Sequence, residues 1–182
     1  MTGNPELTLL WSADEIAARV RELAREIDRD YADETPVLVG VLKGGFVFLA
    51  DLARQLRVPV EIEFIRLSSY TSGTTTSGRA RVIAGPPRAA IEGRPVLVVD
   101  DILDTGLTTR AALRHLQRKR PASLRLCTLL DRPERRRVPV RADYAGFTLS
   151  GHFVVGYGLD VDQKLRQLPG IYGIDEPVGQ EE

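Results

Sequence analysis

The chain has 182 residues, 43% of them hydrophobic, and 25 basic side chains balance 25 acidic ones to a formal net charge of zero. That length predicts one compact domain over 1–182, and the balanced charge gives no whole-molecule field for nucleic acid or an anionic membrane. A single cysteine, Cys127, excludes an intrachain disulfide and a cysteine-based zinc cluster, and two histidines without a G-x-S-x-G argue against a Ser-His-Asp hydrolase.

Ser12-Ala-Asp-Glu15 has the form of a capping box, and Ile16, Val20, Leu23 and Ile27 follow at helical spacing, so an amphipathic helix is predicted over about 13–30. Val37–Val41 reads as a buried strand, broken by Lys43-Gly44-Gly45. Phe46, Leu49, Ala50, Ala53 and Leu56 predict a second helix. From Val60 to Leu67, Ile62 and Phe64 alternate with Glu61 and Glu63 as in a strand. Residues 68–78 are Ser, Thr and Gly around one Tyr, with almost nothing to bury, and predict a long mobile loop. A strand candidate at Arg79–Ala84 and a Gly-Pro-Pro turn lead to the apolar run that ends in Asp100-Asp101. A third helix is predicted over Thr108–Arg118, then strands at Leu124–Leu130, Tyr144–Leu149 and Phe153–Tyr157. The runs Arg118-Lys-Arg120 and Arg135-Arg-Arg137 read as a solvated helix end and a solvated loop, and Cys127 as a packing thiol. With no secretory h-region and no membrane-length apolar stretch, a cytoplasmic protein is expected.

This alternation predicts an α/β fold: a parallel sheet with helices on both faces. Ligands of such sheets sit beyond the carboxyl ends of the strands. Lys43-Gly44-Gly45, Asp100–Thr109 and Asp131-Arg132 all follow strands, so they should gather at one edge. Asp100, Asp101 and Asp104 put three acids within five residues. Unit charges 4 Å apart interact by roughly 4 kcal/mol at an effective dielectric near 20, so such a cluster calls for a cation, donors or water. A strand-end Asp can also be a plain helix cap. Thr105-Gly106-Leu107-Thr108-Thr109 then opens a helix whose N–H groups can face a phosphate. Gly40-Val-Leu-Lys-Gly-Gly45 lacks the G-K-[ST] of a Walker loop, but its glycines admit a phosphate and Lys43 adds charge. Together the two turns suggest two anion sites on one ligand, a ribose 5-phosphate and a pyrophosphate.

Val96–Thr109 resembles the phosphoribosyl-diphosphate (PRPP) signature of type I phosphoribosyltransferases. Leu42-Lys43-Gly44, Ser69-Tyr70, Asp100–Thr108 and Phe153–Asp160, with Arg166 beyond, match in order the motifs of hypoxanthine-guanine phosphoribosyltransferases, over about 8–175. The resemblance implies a type I sheet flanked by helices, a small hood formed by the terminal segments, and a mobile lid. The base-binding part of that hood is expected at about 143–175, and the lid at about 68–79, begun by Ser69 and Tyr70. It implies magnesium-dependent transfer of phosphoribosyl from PRPP to N9 of a 6-oxopurine.

By the same resemblance Asp100 and Asp101 hold the ribose hydroxyls, and Asp104 is the proton acceptor at the purine. Thr105, Gly106, Leu107 and Thr108 cradle the 5-phosphate. Lys43, Gly44 and Arg166 bind pyrophosphate, beside an unusual Leu42–Lys43 peptide geometry. Arg132, Phe153, Val154 and Asp160 form the purine site, and Asp100, Asp101 and Asp160 lie at the metal. A homodimer or homotetramer is implied, with the first helix and the Phe46 helix as candidate contact surfaces, their apolar residues being equally fit for the core. Two residues depart from the pattern. Arg132 stands where the family usually has lysine, and Asp100 where glutamate is common. Asp100-Asp101, Leu130–Arg136 and Val140–Tyr144 also resemble the pyrimidine-operon attenuators, so the alternative is an RNA-binding regulator with uracil phosphoribosyltransferase activity.

Overall fold

In the computed structural model, which describes residues 7–69 and 80–174, the chain begins β1 (Leu7–Trp11), α1 (Ala13–Asp30), β2 (Val37–Leu42), α2 (Phe46–Gln55) and β3 (Glu61–Ser69). It continues β4 (Ala80–Ala84), β5 (Pro95–Leu103), α3 (Leu107–Gln117), β6 (Ser123–Asp131), β7 (Tyr144–Thr148), β8 (Phe153–Val155) and β9 (Ile171–Ile174). Six strands form one sheet in the order β4-β3-β2-β5-β6-β7, parallel except for β4.

The order decides where a ligand can sit. From β2 the chain steps outward to β3, and from β5 it steps the other way to β6 and β7. The switch point therefore lies between β2 and β5, where crossovers diverge and leave a crevice beyond the carboxyl ends. Those two ends are Leu42-Lys43-Gly44 and the acidic turn.

The helices cover both faces, as the alternation predicts. In α1 the Ser12 hydroxyl accepts from the Glu15 N–H, and the Glu15 carboxylate accepts from the Ser12 N–H, so both halves of the capping box form. Ile16, Val20, Leu23, Ala24 and Ile27 then point one way and pack with Phe48, Leu52 and Leu97. That stripe is core, the one of its two readings that the packing selects. On the opposite face Ala112 and Leu116 of α3 close over Val37, Val39, Val96 and Val98. The alternation along β3 is real, but Ile62 and Phe64 stand 47% and 45% exposed while Ile65 is buried on the α3 side.

A second, antiparallel sheet has the order β1-β9-β8. It joins the two ends of the chain, pairing Leu7 with Ile174. Phe153–Val155 belongs to it, whereas Tyr144–Thr148, inside the range expected for the base-binding hood, is the edge of the large sheet. Trp11 stacks on Phe147 with ring centroids 4.9 Å apart, docking the small sheet against β7. Arg19 of α1 donates to the carbonyls of Ala145 and Gly146, which satisfies acceptors that an edge strand would leave open. Among the described residues no helix is long and apolar enough to cross a membrane.

Candidate active site

β5 runs buried from Val96 to Asp100, is half-buried at Asp101 and Ile102, and buries Leu103 again. Asp100 is buried; its carboxylate accepts from the Thr109 hydroxyl at 3.2 Å and from the Asp101 N–H. The turn ends at Gly106 (φ 79°), the N-cap of α3, which has no side chain to satisfy the helix's first N–H groups. Only a long 3.4 Å contact from the Leu107 N–H to the Thr105 hydroxyl engages that end, so the first turn faces the crevice with donors to spare. Thr105, Gly106, Leu107 and Thr108 are thus where the sequence places a phosphate cradle. A cavity of about 290 Å³ opens here, lined by Leu42, Gly44, Asp100, Asp101, Asp104 and Thr108 among others.

Gly44 meets the acids directly. A Cβ there would lie 1.6 Å from Asp101 Oδ2, so only glycine lets the β2 turn and the acidic turn share the crevice. The Leu42–Lys43 peptide is cis. On the other side of the turn, a Cβ on Gly158 (φ 100°) would lie 2.2 Å from the Gly44 carbonyl. Arg166 donates to the Gly158 carbonyl at 2.7 Å and pairs with Asp160 at 2.7 Å. Lys43 and Arg166 both reach Gln163. Two of the residues expected at pyrophosphate therefore form a cationic cluster that touches the crevice through Gly44 and Gly158.

The third cluster lies beyond β6. Arg132 is only 7% exposed, and its Nε lies 3.4 Å from Glu134 Oε1. That same oxygen accepts from the Gly151 N–H, tying the Arg132 segment to the loop before β8. Phe153 is exposed at the start of β8 and Val154 is buried behind it. Asp104 Oδ1 is buried with no hydrogen-bond partner; Arg135 Nε stands 3.6 Å away. Arg136 was expected in a solvated loop. Instead its guanidinium donates to the Leu103 carbonyl at 2.6 Å, to the Asp104 carbonyl and to Asp131, bracing the acidic turn from below. Ser69 ends β3, and Tyr70 with the rest of the expected lid, 70–79, lies outside the described residues.

A family model for the phosphoribosyl transferase domain matches residues 12–162. The chain is 45% identical over 172 residues to the hypoxanthine-guanine phosphoribosyltransferase of Aquifex aeolicus, covering 94% of this chain and 96% of that one. The chain belongs to the hypoxanthine-guanine phosphoribosyltransferase family. Its Mycobacterium avium relative of the same name is 43% identical over 96% of this chain and 88% of its own. A crystal structure of a hypoxanthine-guanine phosphoribosyltransferase from Bacillus anthracis matches with a TM-score of 0.85 at 40% identity, covering 94% of this chain and all of that one.

For a phosphoribosyltransferase the electrostatics of the crevice are telling. Burial pushes the Asp100 and Asp101 carboxyls above the ordinary carboxylate range, and at Asp100 the neighbouring Asp101 charge adds to it. The folded state thus holds these protons more tightly than the unfolded chain. The contribution of this pair to stability is greatest below the unfolded pKa and is lost as pH rises through the raised folded values. Asp100→Asn removes one charge of the pair. Its ligand-free Tm at neutral pH should exceed wild type by a few degrees, at about 2–4 °C per kcal/mol for a chain this size. The gap should close as pH is lowered toward about 4, and PRPP affinity should fall. Thermal melts from pH 4 to 8 check this; a variant no more stable than wild type at neutral pH contradicts it.

The acids do not form a preformed metal cage. Among the described residues no three His, Cys, Asp or Glu side chains group to hold an ion. Asp160, expected with Asp100 and Asp101 at the metal, instead gives one oxygen to Arg166 and the other to the Gln163 N–H at 2.8 Å. Two adjacent carboxylates on an open crevice still fit magnesium as proteins usually hold it, by one or two carboxylates with substrate oxygens and water completing the shell.

Proposed function

We propose that the chain carries out purine salvage, transferring the 5-phosphoribosyl group of PRPP to N9 of hypoxanthine or guanine to give the nucleotide and pyrophosphate. The observation that carries this is the meeting of Gly44 with Asp100, Asp101, Asp104 and the uncapped start of α3 in one crevice at the switch point. The names of the relatives that match along nearly the whole chain support it.

In this reading the α3 N-terminus and the Thr105 and Thr108 hydroxyls hold the 5-phosphate, and Asp100 and Asp101 accept from the ribose hydroxyls. Lys43, the Gly44 backbone and Arg166 hold the pyrophosphate. The bond from ribose C1 to the pyrophosphate oxygen breaks as N9 bonds to C1, and the base's proton passes to Asp104. Lys43 and Arg166 stabilise the charge that gathers on the departing pyrophosphate. Asp100 and Asp101, with Asp160 nearby, would hold magnesium, which would supply further positive charge to that leaving group.

At the base, Phe153 stacks on the purine, Val154 reads its edge through backbone groups, and Arg132 points its donors at C6. A guanidinium only donates, so a 6-oxo group is favoured over the 6-amino group of adenine. A panel of hypoxanthine, guanine, xanthine, adenine and uracil, each with PRPP and magnesium, tests the reading. Nucleotide from hypoxanthine or guanine is expected, and reaction with uracil alone would overturn it. The basic run offers the attenuator-like alternative less than its sequence suggests, because Arg136 turns inward to Asp131, while Arg135 and Arg137 stay exposed. A cytoplasmic homodimer or homotetramer completes the proposal, with Phe46, 46% exposed on α2, available to a neighbouring copy.

A further inference from the structure

Nothing in the sequence motifs gives Gln163 a task. In the structure Lys43 Nζ donates to Gln163 Oε1 at 3.0 Å, and Arg166 Nη2 donates to the same oxygen at 3.2 Å. One neutral acceptor thus gathers cations from two elements far apart in the chain, the turn after β2 and the segment after β8. Unheld, two like charges that share one acceptor repel each other, more strongly beside a protein surface than in water, and would drift apart. A carboxylate in place of the amide would hold them too, but would cancel charge that an anion needs.

The backbone is shaped to present this oxygen. Asp162, Gln163 and Leu165 have φ of 49°, 65° and 70°, so three non-glycine residues lie in the left-handed region within four positions. Such residues are strained without a glycine, and strain of this kind collects at ligand clamps. The Gln163 N–H donates to Asp160 Oδ2 at 2.8 Å, and Val161 and Lys164 exchange backbone hydrogen bonds, which fixes the turn.

We propose that Gln163 is a positioning residue of the pyrophosphate subsite. Its uncharged side-chain carbonyl holds Lys43 and Arg166 converged without adding a second carboxylate to Asp160, which already pairs with Arg166 at 2.7 Å. This rests on the reading of Lys43 and Arg166 as pyrophosphate ligands. Gln163 is exposed, so replacing it leaves the core untouched. Calorimetric binding of inorganic pyrophosphate with magnesium, together with steady-state kinetics, tests the proposal on Gln163→Glu, Gln163→Leu and Lys43→Ala. Gln163→Glu should weaken pyrophosphate binding and raise the KM for PRPP about tenfold, and Gln163→Leu about threefold. In both, the KM for hypoxanthine should stay within about twofold of wild type, a split between the two substrates that a merely structural role would not produce. If Lys43→Ala weakens pyrophosphate binding while both Gln163 variants match wild type, this inference alone is overturned. If Lys43→Ala also binds as wild type does, the pyrophosphate reading falls with it.

Discussion

Asp104→Asn should lower turnover by about 10²- to 10⁴-fold, the usual contribution of a positioned proton acceptor, while the KM for PRPP changes by no more than about threefold. The split follows from where Asp104 stands. It lies three residues beyond Asp101 and takes no part in the Asp100–Thr109 hydrogen bond, so losing its charge leaves the proposed ribose and phosphate contacts in place. Its Oδ1 is a buried acceptor without a donor in the free protein, a state that costs about 1–3 kcal/mol. An arriving purine N–H satisfies that atom, and only a carboxylate can then take the proton. Asparagine keeps the shape and an acceptor oxygen but not the basicity. Arg135, 3.6 Å from the carboxylate, loses its ion pair in the variant, yet at half exposure it returns to solvent. Steady-state kinetics on the purified variant decides it; wild-type turnover would remove Asp104 from the chemistry.

Gly44→Ala should lower kcat/KM for PRPP by about 10²-fold and cost about 1–3 kcal/mol of stability. The new Cβ would sit 1.6 Å from Asp101 Oδ2 and 2.5 Å from its Cγ, so the carboxylate or the turn must move by more than an ångström. Neither is free. Asp101 Oδ1 accepts from the Ile102 N–H at 2.9 Å, and the Gly44 carbonyl is boxed in by Gly158. A displacement of that size misplaces either the acid expected at the ribose or the loop expected at pyrophosphate. Gly93→Ala is the control. Gly93 has a left-handed backbone, φ 69°, which Gly44 does not, and nothing lies within 4 Å of a Cβ there. It should cost about 1 kcal/mol in stability and nothing in kinetics. A Gly44→Ala enzyme within twofold of wild type would contradict the tight approach of the two turns.

What could be read from the sequence, and what could not, divides by range. The first helix is a local object: Ser12 and Glu15 cap it and a 3.6-residue period fills its inner face, so its bounds and its buried stripe follow from neighbouring residues. The acidic turn is local too, because strand, acids, Gly106 and helix lie within about fifteen consecutive positions. Strand order is not local. Nothing in β2 or β5 states that they pair, and the switch point between them follows only from the assembled sheet. β1 and β9 escaped for the same reason, since they are five and four residues long and pair across almost the whole chain.

The candidate site was legible where chemistry is carried by residue type. Lys43, the three acids, Phe153 and Arg166 stood out through charge or motif, and the structure brings the acids together with Gly44 and joins Lys43 to Arg166. Arg136 was misjudged because a triple-arginine run carries no sign of which member folds inward. Val138 and Arg136 closing over Gly106 were the only trace, and that is a tertiary contact. Gln163 was missed because its turn uses the left-handed region without glycine, so the usual sequence marker of such a turn is absent.

The most direct test of the central claim is the stoichiometry of a single reaction. PRPP, hypoxanthine and magnesium are incubated with the purified protein, and nucleotide and pyrophosphate are quantified together against a reaction lacking the base. The account predicts one pyrophosphate released for each inosine monophosphate formed, with negligible pyrophosphate when hypoxanthine is left out. Pyrophosphate release that does not depend on the base, or no nucleotide from any 6-oxopurine, would contradict it.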